Sequence, residues 1–338
     1  MSDTAAPQLG SWLRQRWSRT VSSGTGLNVI GLIGAIILLY VVLGSTATGF
    51  TSAANQMGLL RDAAMIGVAA TGMTLVIVAG EIDVSIGPAV AFSTVIFAKA
   101  MTQLHLPTVL AILVTLACGA AWGGLVGVLR AKVGVPSFIG TLGLWNILGG
   151  LALFTTDALP VPVPIDDPLI DLMSSQIAGM PTPAWVMLIA FVLFGFIAIR
   201  TKYGRSVYAV GGNSRAARLA SINVDRVRVL IFVTTGILSA LSGVLLTARL
   251  GSGNGGAAGG LEFSVIAAVV VGGTAMTGGR GSLLGTFLGV IFITLLGNGL
   301  VLLGVNSFLQ QVVSGAIIVI AVLLNVLLSR RRGISTTD

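Results

Sequence analysis

Two carboxylates, Glu81 and Asp83, are the only charges between residues 63 and 98 of an otherwise apolar and small-residue stretch. A carboxylate at the centre of a membrane helix costs about 2.5–3.5 kcal/mol and is usually functional when present. The pair could therefore take up a proton or a cation and couple solute movement to an ion gradient. The same residues have a structural use. They stand in GEIDVSIGP, where two glycines and a proline permit a turn, and Asp83 with Ser85 can cap the helix that leaves it. A second glycine-rich element, GGTAMTGGRGS, has the look of a phosphate loop but lacks the Gly-Lys-Ser/Thr that delivers a lysine, and no strand precedes it. Its Gly272, Gly273, Gly278 and Gly279 suit a broken helix with close backbone contact beside a pathway, with Arg280 at the inner end. Trp145, Asn146, Phe154, Asn298 and Asn306 lie in or beside apolar runs. Amides serve solute hydroxyls and rings serve C–H faces, although helix packing uses amides equally well. His105 and Cys118 are each the only residue of their kind, so the chain builds no disulfide internally and offers no metal-ligand set. A membrane-embedded enzyme needs converging nucleophiles or acid–base groups, and His105 alone is not such a set.

The elements that must hold these residues follow from composition. Of 338 residues, 55% are hydrophobic and 9% charged, against about 25% charged in an ordinary soluble domain. Lipid resolves that imbalance. The net charge of +8 sits in short breaks between apolar runs without interleaved aromatics, so it speaks for cytosolic flanks and against nucleic acid. Apolar runs predict spans near 27–44, 63–80, 86–103, 107–129, 135–155, 184–199, 229–248, 263–276, 283–303 and 308–328, the eighth short and glycine-rich. Residues 63–98 as one helix would reach about 54 Å, far beyond a core of about 30 Å, so they fold back at GEIDVSIGP. The expectation is an all-α integral membrane protein of about ten transmembrane helices with both termini cytoplasmic and some helices broken at Gly-rich elements. A basic, amphipathic lead-in (1–26) precedes the membrane domain (27–328), and a basic tail (329–338) follows it. With ten spans, sixteen of the nineteen Lys and Arg fall inside, and only Arg61, Lys99 and Arg249 fall outside. Residues 156–183, rich in Asp and Pro, then lie outside, and 200–228, with seven basic residues, inside. Residues 63–98 and 263–296 share a helix–break–helix pattern, faintly suggesting an internal repeat.

The inside loop carries its own signal. Asn213 or Ser214 can cap a short helix. SRAARLAS then sets Arg215 and Arg218 one turn apart, with Ala216, Ala217 and Ala220 leaving the rest of the surface small. Such a helix suits a groove on a partner, although any cytosolic loop is basic.

The stretch from YGRSVYAVGGNSRAARLASINVDRVR into VLIFVTTGILSALSGVLLTARLGS resembles the signature of bacterial ribose-type ABC permeases. GEIDVSIGPAVAF, VPSFIGTLGLWNILGGLALF and VVVGGTAMTGGRGSLLGTFLGVIFITLLGNGLVLLGV resemble three further family elements, in the family's order, over most of 57–328. The resemblance implies that the loop around Gly204, Arg205, Gly212, Asn213, Arg215, Ala216, Ala217, Arg218, Leu219 and Ile222 couples to an ATPase subunit. It implies that Glu81, Asp83, Ser85, Gly87, Trp145, Asn146, Phe154, Gly272, Gly273, Gly278, Gly279 and Asn298 belong to a translocation path or gate. It further implies a second permease copy or relative, a periplasmic or lipid-anchored solute-binding protein, a bacterial inner membrane, and neither cofactor nor ATP hydrolysis on this chain. Glu81 stands where the family usually has glycine, and Ala220-Ser221 replaces a common Ser-Gly or Cys-Gly.

Overall fold

A computed structural model of the chain describes residues 24–164, 166–306, 308–313, 315–317, 319, 320 and 323. The predicted tail, most of the lead-in and the distal part of the tenth predicted span lie outside them.

Seven helices are long and apolar enough to cross a membrane: α1 (Gly24–Thr46), α2 (Ala53–Val78), α4 (Thr108–Val128, continued by a π turn, Leu129–Val133), α5 (Ser137–Phe154), α7 (Thr182–Arg200), α10 (Val224–Leu250) and α12 (Leu283–Leu302). Three apolar helices are shorter: α3 (Ile86–Thr102), α11 (Leu261–Val271) and α13 (Phe308–Ile317). The ten predicted segments thus have helical counterparts, but not all have the length of a span. At 1.5 Å per residue α11 reaches only about 16 Å, half of a hydrocarbon core. The prediction ran this segment to residue 276, whereas Gly272 ends the helix, and residues 272–281 form the break before α12.

The α2 helix begins at Ala53, earlier than the apolar window at residue 63, because Ser52 caps it and its polar first turns are satisfied by protein. Asn55 and Gln56 donate to Phe50 O, Arg61 to Ser174 O, and Asp62 pairs with Arg249. Past those turns α2 is buried on every side, as is much of α10, and both lack a polar face. α10 packs along α2, α3 and α4, while α1 rests on α12 at the periphery.

Apolar lipid gives apolar helices little reason to associate, so close packing decides. Gly119 and Gly123 of α4, four residues apart, meet α10 so tightly that an added Cβ would collide with the carbonyl oxygens of Gly236 and Phe232. This ridge was written in the sequence as CGAAWGG and it seats the central pair.

The three basic residues expected outside gather at one end of the bundle. Arg61 and Arg249 engage Ser174 O and Asp62, and Lys99 donates to Thr155 O. Residues 156–164 and 166–183 cover this end and are folded. Val161–Pro162 (β1) pairs antiparallel with Ser252–Gly253 (β4), and Gln176–Ile177 (β2) with Met180–Pro181 (β3). Between them runs α6 (Pro168–Ser174), capped by Asp167. These two-residue ribbons are the departures from an all-α fold among the described residues.

Candidate translocation and coupling site

The break between α2 and α3 holds the first predicted site residues. Gly80 (φ 77°) turns the chain, and Ile82 and Val84 present backbone N–H groups to Ser137 Oγ (3.2 Å) and Thr141 Oγ1 (3.3 Å) of α5. Non-helical backbone at membrane depth is tolerated where protein satisfies it, and here α5 does so. Asp83 Oδ1 accepts from Ser85 N (2.9 Å) and Ser85 Oγ (2.6 Å). Asp83 thus closes a turn onto Ser85, the residue before α3, and neither its carboxylate nor the Ser85 hydroxyl bonds an N–H of the helix itself, so the side-chain cap expected there is absent.

Glu81 is 3% exposed and lies between two guanidinium groups. Both its oxygens stand 2.8 Å from Arg130 Nε, on the π turn after α4, and Oε1 lies 2.9 Å from Arg228 Nε, in the first turns of α10. A carboxylate whose two oxygens are both held by guanidinium groups leaves no free oxygen for a sodium ion. The ion-coupled reading built on Glu81 and Asp83 is therefore not favoured: one residue ties three elements together and the other holds the turn at Ser85 that leads into α3.

Trp145 and Asn146, on α5, line a cavity of about 380 Å³ between α3, α5 and the segment leading into α11. The Trp145 indole N–H donates to Glu262 Oε1 (3.0 Å), and Glu262 is 2% exposed. Its other oxygen lies against Gly87, where a Cβ would overlap it. Asn146 bonds Leu142 O of its own helix (3.2 Å), and Phe154 is 80% exposed at the end of α5, outside the cavity wall.

Other predicted path residues sit elsewhere. Asn298 exchanges amide hydrogen bonds with Asn55 (2.8 and 3.0 Å), joining α12 to α2. Gly272 packs on Gly285, where its Cβ would stand 2.5 Å from a carbonyl oxygen, and so lets α11 and α12 touch. Gly273 (φ 89°) turns the chain out of α11, and Asn306 Oδ1 accepts from Phe308 N. Gly278 and Gly279 (φ 83° and 72°) meet the end of α2 and the loop of residues 200–228: Gly279 N donates to Val78 O (2.8 Å), and a Cβ on Gly278 would lie 2.7 Å from Gly211 O.

That loop is two helices, α8 (Lys202–Gly212) and α9 (Ser214–Leu219). Gly204 lets α8 turn sharply off α7, where a side chain would strike the Ala198 carbonyl. Arg205 is exposed, while Tyr208 reaches the glycine-rich break and donates to Gly281 O (3.0 Å). Gly212 is exposed, with open space where a Cβ would project, while Gly279 packs against its backbone. Asn213, rather than Ser214, is the cap: its Oδ1 accepts from Ala216 N (2.9 Å).

The end of α9 is a Schellman turn. Ile222 N donates to Ala217 O (3.0 Å) and Ser221 N to Arg218 O (3.1 Å), with Ser221 left-handed at φ 62°. Ala217 is buried against the chain and Ile222 half-buried, so the outward surface is Arg215, Ala216, Arg218 and Leu219, the last 89% exposed.

Sequence reasoning missed Glu262, Arg130, Arg228 and Asn55 as site residues. The two arginines were counted only as flank charges. Glu262 offered one signal, a single acid at the head of an apolar helix.

A family model described as "Branched-chain amino acid transport system / permease component" matches residues 55–322. The chain is 58% identical to the probable ABC transporter permease protein YphD of Escherichia coli strain K12, over 90% of this chain and 91% of that one. It is 40% identical to the ribose import permease protein RbsC of Bacillus subtilis strain 168, over 88% and 92%. It is 34% identical to the L-arabinose ABC transporter permease protein AraH of Azospirillum brasilense, over 88% and 87%. No solved structure matches the chain.

Proposed function

The chain belongs to the branched-chain amino acid transport system / permease component family, as a carbohydrate-uptake ABC permease of the inner membrane, and from that premise we propose the following division of labour. Two such chains, identical or related, enclose a path for a sugar or sugar-like solute. A binding protein, periplasmic or lipid-anchored, delivers the solute to the end covered by residues 156–183. ATPase subunits dock at the opposite end on α8 and α9 and hydrolyse ATP, and this chain hydrolyses none.

The observation that carries the coupling role is the seat of α8. Gly211 lies so close to Val78 that a Cβ would overlap its carbonyl oxygen, and Gly278 and Gly279 close on the same point. One short helix thus touches the end of α2 and the break before α12 together. α9, beyond it, turns an apolar Leu219 and two arginines outward, the mixture of anchor and charge that binding surfaces favour.

The mechanism is a population shift. A docked ATPase binds the two arrangements of α8–α9 unequally, and that difference biases the membrane helices. Contact without side chains transmits displacement well, because there is no rotamer to absorb it. The driven segments are the two breaks, residues 79–85 and 272–281. The first leads into α3, one wall of the cavity, and the second ends α11, which carries Glu262.

The test is reconstitution with the ATPase encoded beside this chain. Co-purification, with ATP hydrolysis stimulated by the cognate binding protein, is the expected outcome. An ATPase that binds the permease equally well after the exposed face of α9 is replaced by Gly-Ser repeats contradicts the docking site.

A further inference from the structure

Glu262 is a buried acid only one of whose oxygens serves the bundle, through the Trp145 bond. It opens α11 from the wall of the cavity, with the Trp145 indole on Oε1 and the Gly87 backbone against Oε2. Oε2 has no hydrogen-bond partner among the described residues and is shielded from solvent. An acceptor stored in that condition costs about 1–3 kcal/mol. Such a group in a native structure calls for an explanation, and a polar ligand that it meets in another state is one.

We propose that Glu262 is the polar contact for the solute in the path: Oε2 accepts a hydrogen bond from a hydroxyl of a neutral polyhydroxylated solute when the cavity opens, with the Trp145 ring against the solute's C–H face. This rests on the importer reading above and deepens it by naming the contact. Three features of the site support it. The cavity, about 380 Å³, is of the size that holds a small ligand. Apart from Asn146, whose amide N–H is spent on Leu142 O, its wall is otherwise small or apolar, with Pro88, Ala91, Gly149 and Gly150 beside Trp145, so one acceptor and one ring supply most of its recognition. Finally, Gly87, in the first turn of α3, leaves room for the stored oxygen, and α3 follows the break that the coupling element touches. Movement of α3 away from α11 uncovers Oε2 without altering the Trp145 bond.

The closed arrangement is thus self-sealing, with Trp145 and Glu262 bridging α5 to α11. In the open one, a hydroxyl replaces the Gly87 contact. Neutral solutes are preferred because an anionic group would face a carboxylate.

The experiment uses the whole transporter, with its ATPase and binding protein, in proteoliposomes loaded with ATP. The probes are radiolabelled D-ribose, L-arabinose and myo-inositol, and the readout is solute delivered per ATP hydrolysed. For the probe taken up by the wild-type transporter, Glu262→Gln lowers that ratio about tenfold, the effect of one charge-assisted hydrogen bond. Gly87→Ala, which pushes the carboxyl off its seat and into the cavity, also changes the ratio, and thermal unfolding in detergent checks that both variants fold. A Glu262→Gln transporter that is folded and delivers the wild-type amount per ATP overturns this proposal alone. A wild-type transporter that moves none of the three probes overturns the sugar reading and this proposal with it.

Discussion

Arg130 grips Glu81 from the far end of α4, its Nε 2.8 Å from each carboxylate oxygen. With Arg228 completing the clasp, a residue that sequence alone offered as an ion-coupling site instead fastens three elements at one end of the bundle. Removing the carboxylate leaves two guanidinium groups facing each other with little solvent around them. Glu81→Ala is expected to lower stability by about 3 kcal/mol, with Arg228→Ala smaller, as read by thermal or denaturant unfolding in detergent. An unchanged melting temperature would show that the clasp holds nothing.

The Asn55–Asn298 pair predicts a coupling measurable by a double-mutant cycle. Amide pairs between membrane helices are worth about 0.6 kcal/mol on average and up to about 1.7, and this pair makes two hydrogen bonds. The upper half of that range is expected for Asn55→Leu with Asn298→Leu. A cycle that closes at zero would show the bonds to be replaced by water or lipid headgroups.

Ser221 holds φ 62°, a left-handed conformation that costs a residue with a Cβ about 1–2 kcal/mol. Ser221→Gly is therefore expected to raise stability by about 1 kcal/mol, since the Schellman hydrogen bonds of α9 are backbone and survive. Ser221→Val moves the other way. Unfolding midpoints of the two variants give the sign directly.

Docking predictions separate the two faces of α9. Leu219→Asp should weaken ATPase binding about tenfold or more with no loss of folding, because the side chain touches little of its own chain. Ala217→Glu acts differently. Its side chain faces inward, so the loop itself is displaced and stability falls by about 2 kcal/mol or more. Equilibrium binding to the purified ATPase, beside unfolding of the permease, distinguishes them.

The end covered by residues 156–183 should respond to acid. Asp167 accepts from Thr108 Oγ1 and from the N–H groups of Leu169 and Ile170, and these bonds, the Thr108 hydroxyl foremost, hold its carboxyl below the ordinary value of 3.8. A depressed folded value means that the contribution is full well above 3.8 and is lost as pH falls past it toward the folded value. Asp167→Asn should flatten that loss. Local hydrogen exchange in 168–174 as a function of pH is the readout.

Much of this architecture was legible in the residues. Apolar run lengths gave the helices, and GEIDVSIGP announced a break because glycine and proline can do little else between two apolar runs. NSRAARLAS showed a capped short helix. What was not legible was pairing across the chain. Glu81 looked available because nothing in the sequence says that Arg130 and Arg228, remote from it in the chain, converge on it. Asn298 looked like a path residue for the same reason. Ala217 looked like a docking residue because short helices lack enough turns for periodicity to show which side is buried. Glu262 was overlooked since an acid at the edge of an apolar run reads as a boundary.

The central claim, that this chain is the path of an ATP-driven importer, is tested most directly by uptake of radiolabelled sugars into proteoliposomes with ATP sealed inside. The components to vary are the ATPase and the external binding protein. Uptake that needs both partners and ATP, and is indifferent to proton or sodium gradients, is the predicted result. Uptake by this chain alone, rising with an imposed ion gradient and lost in Glu81→Ala, would contradict it.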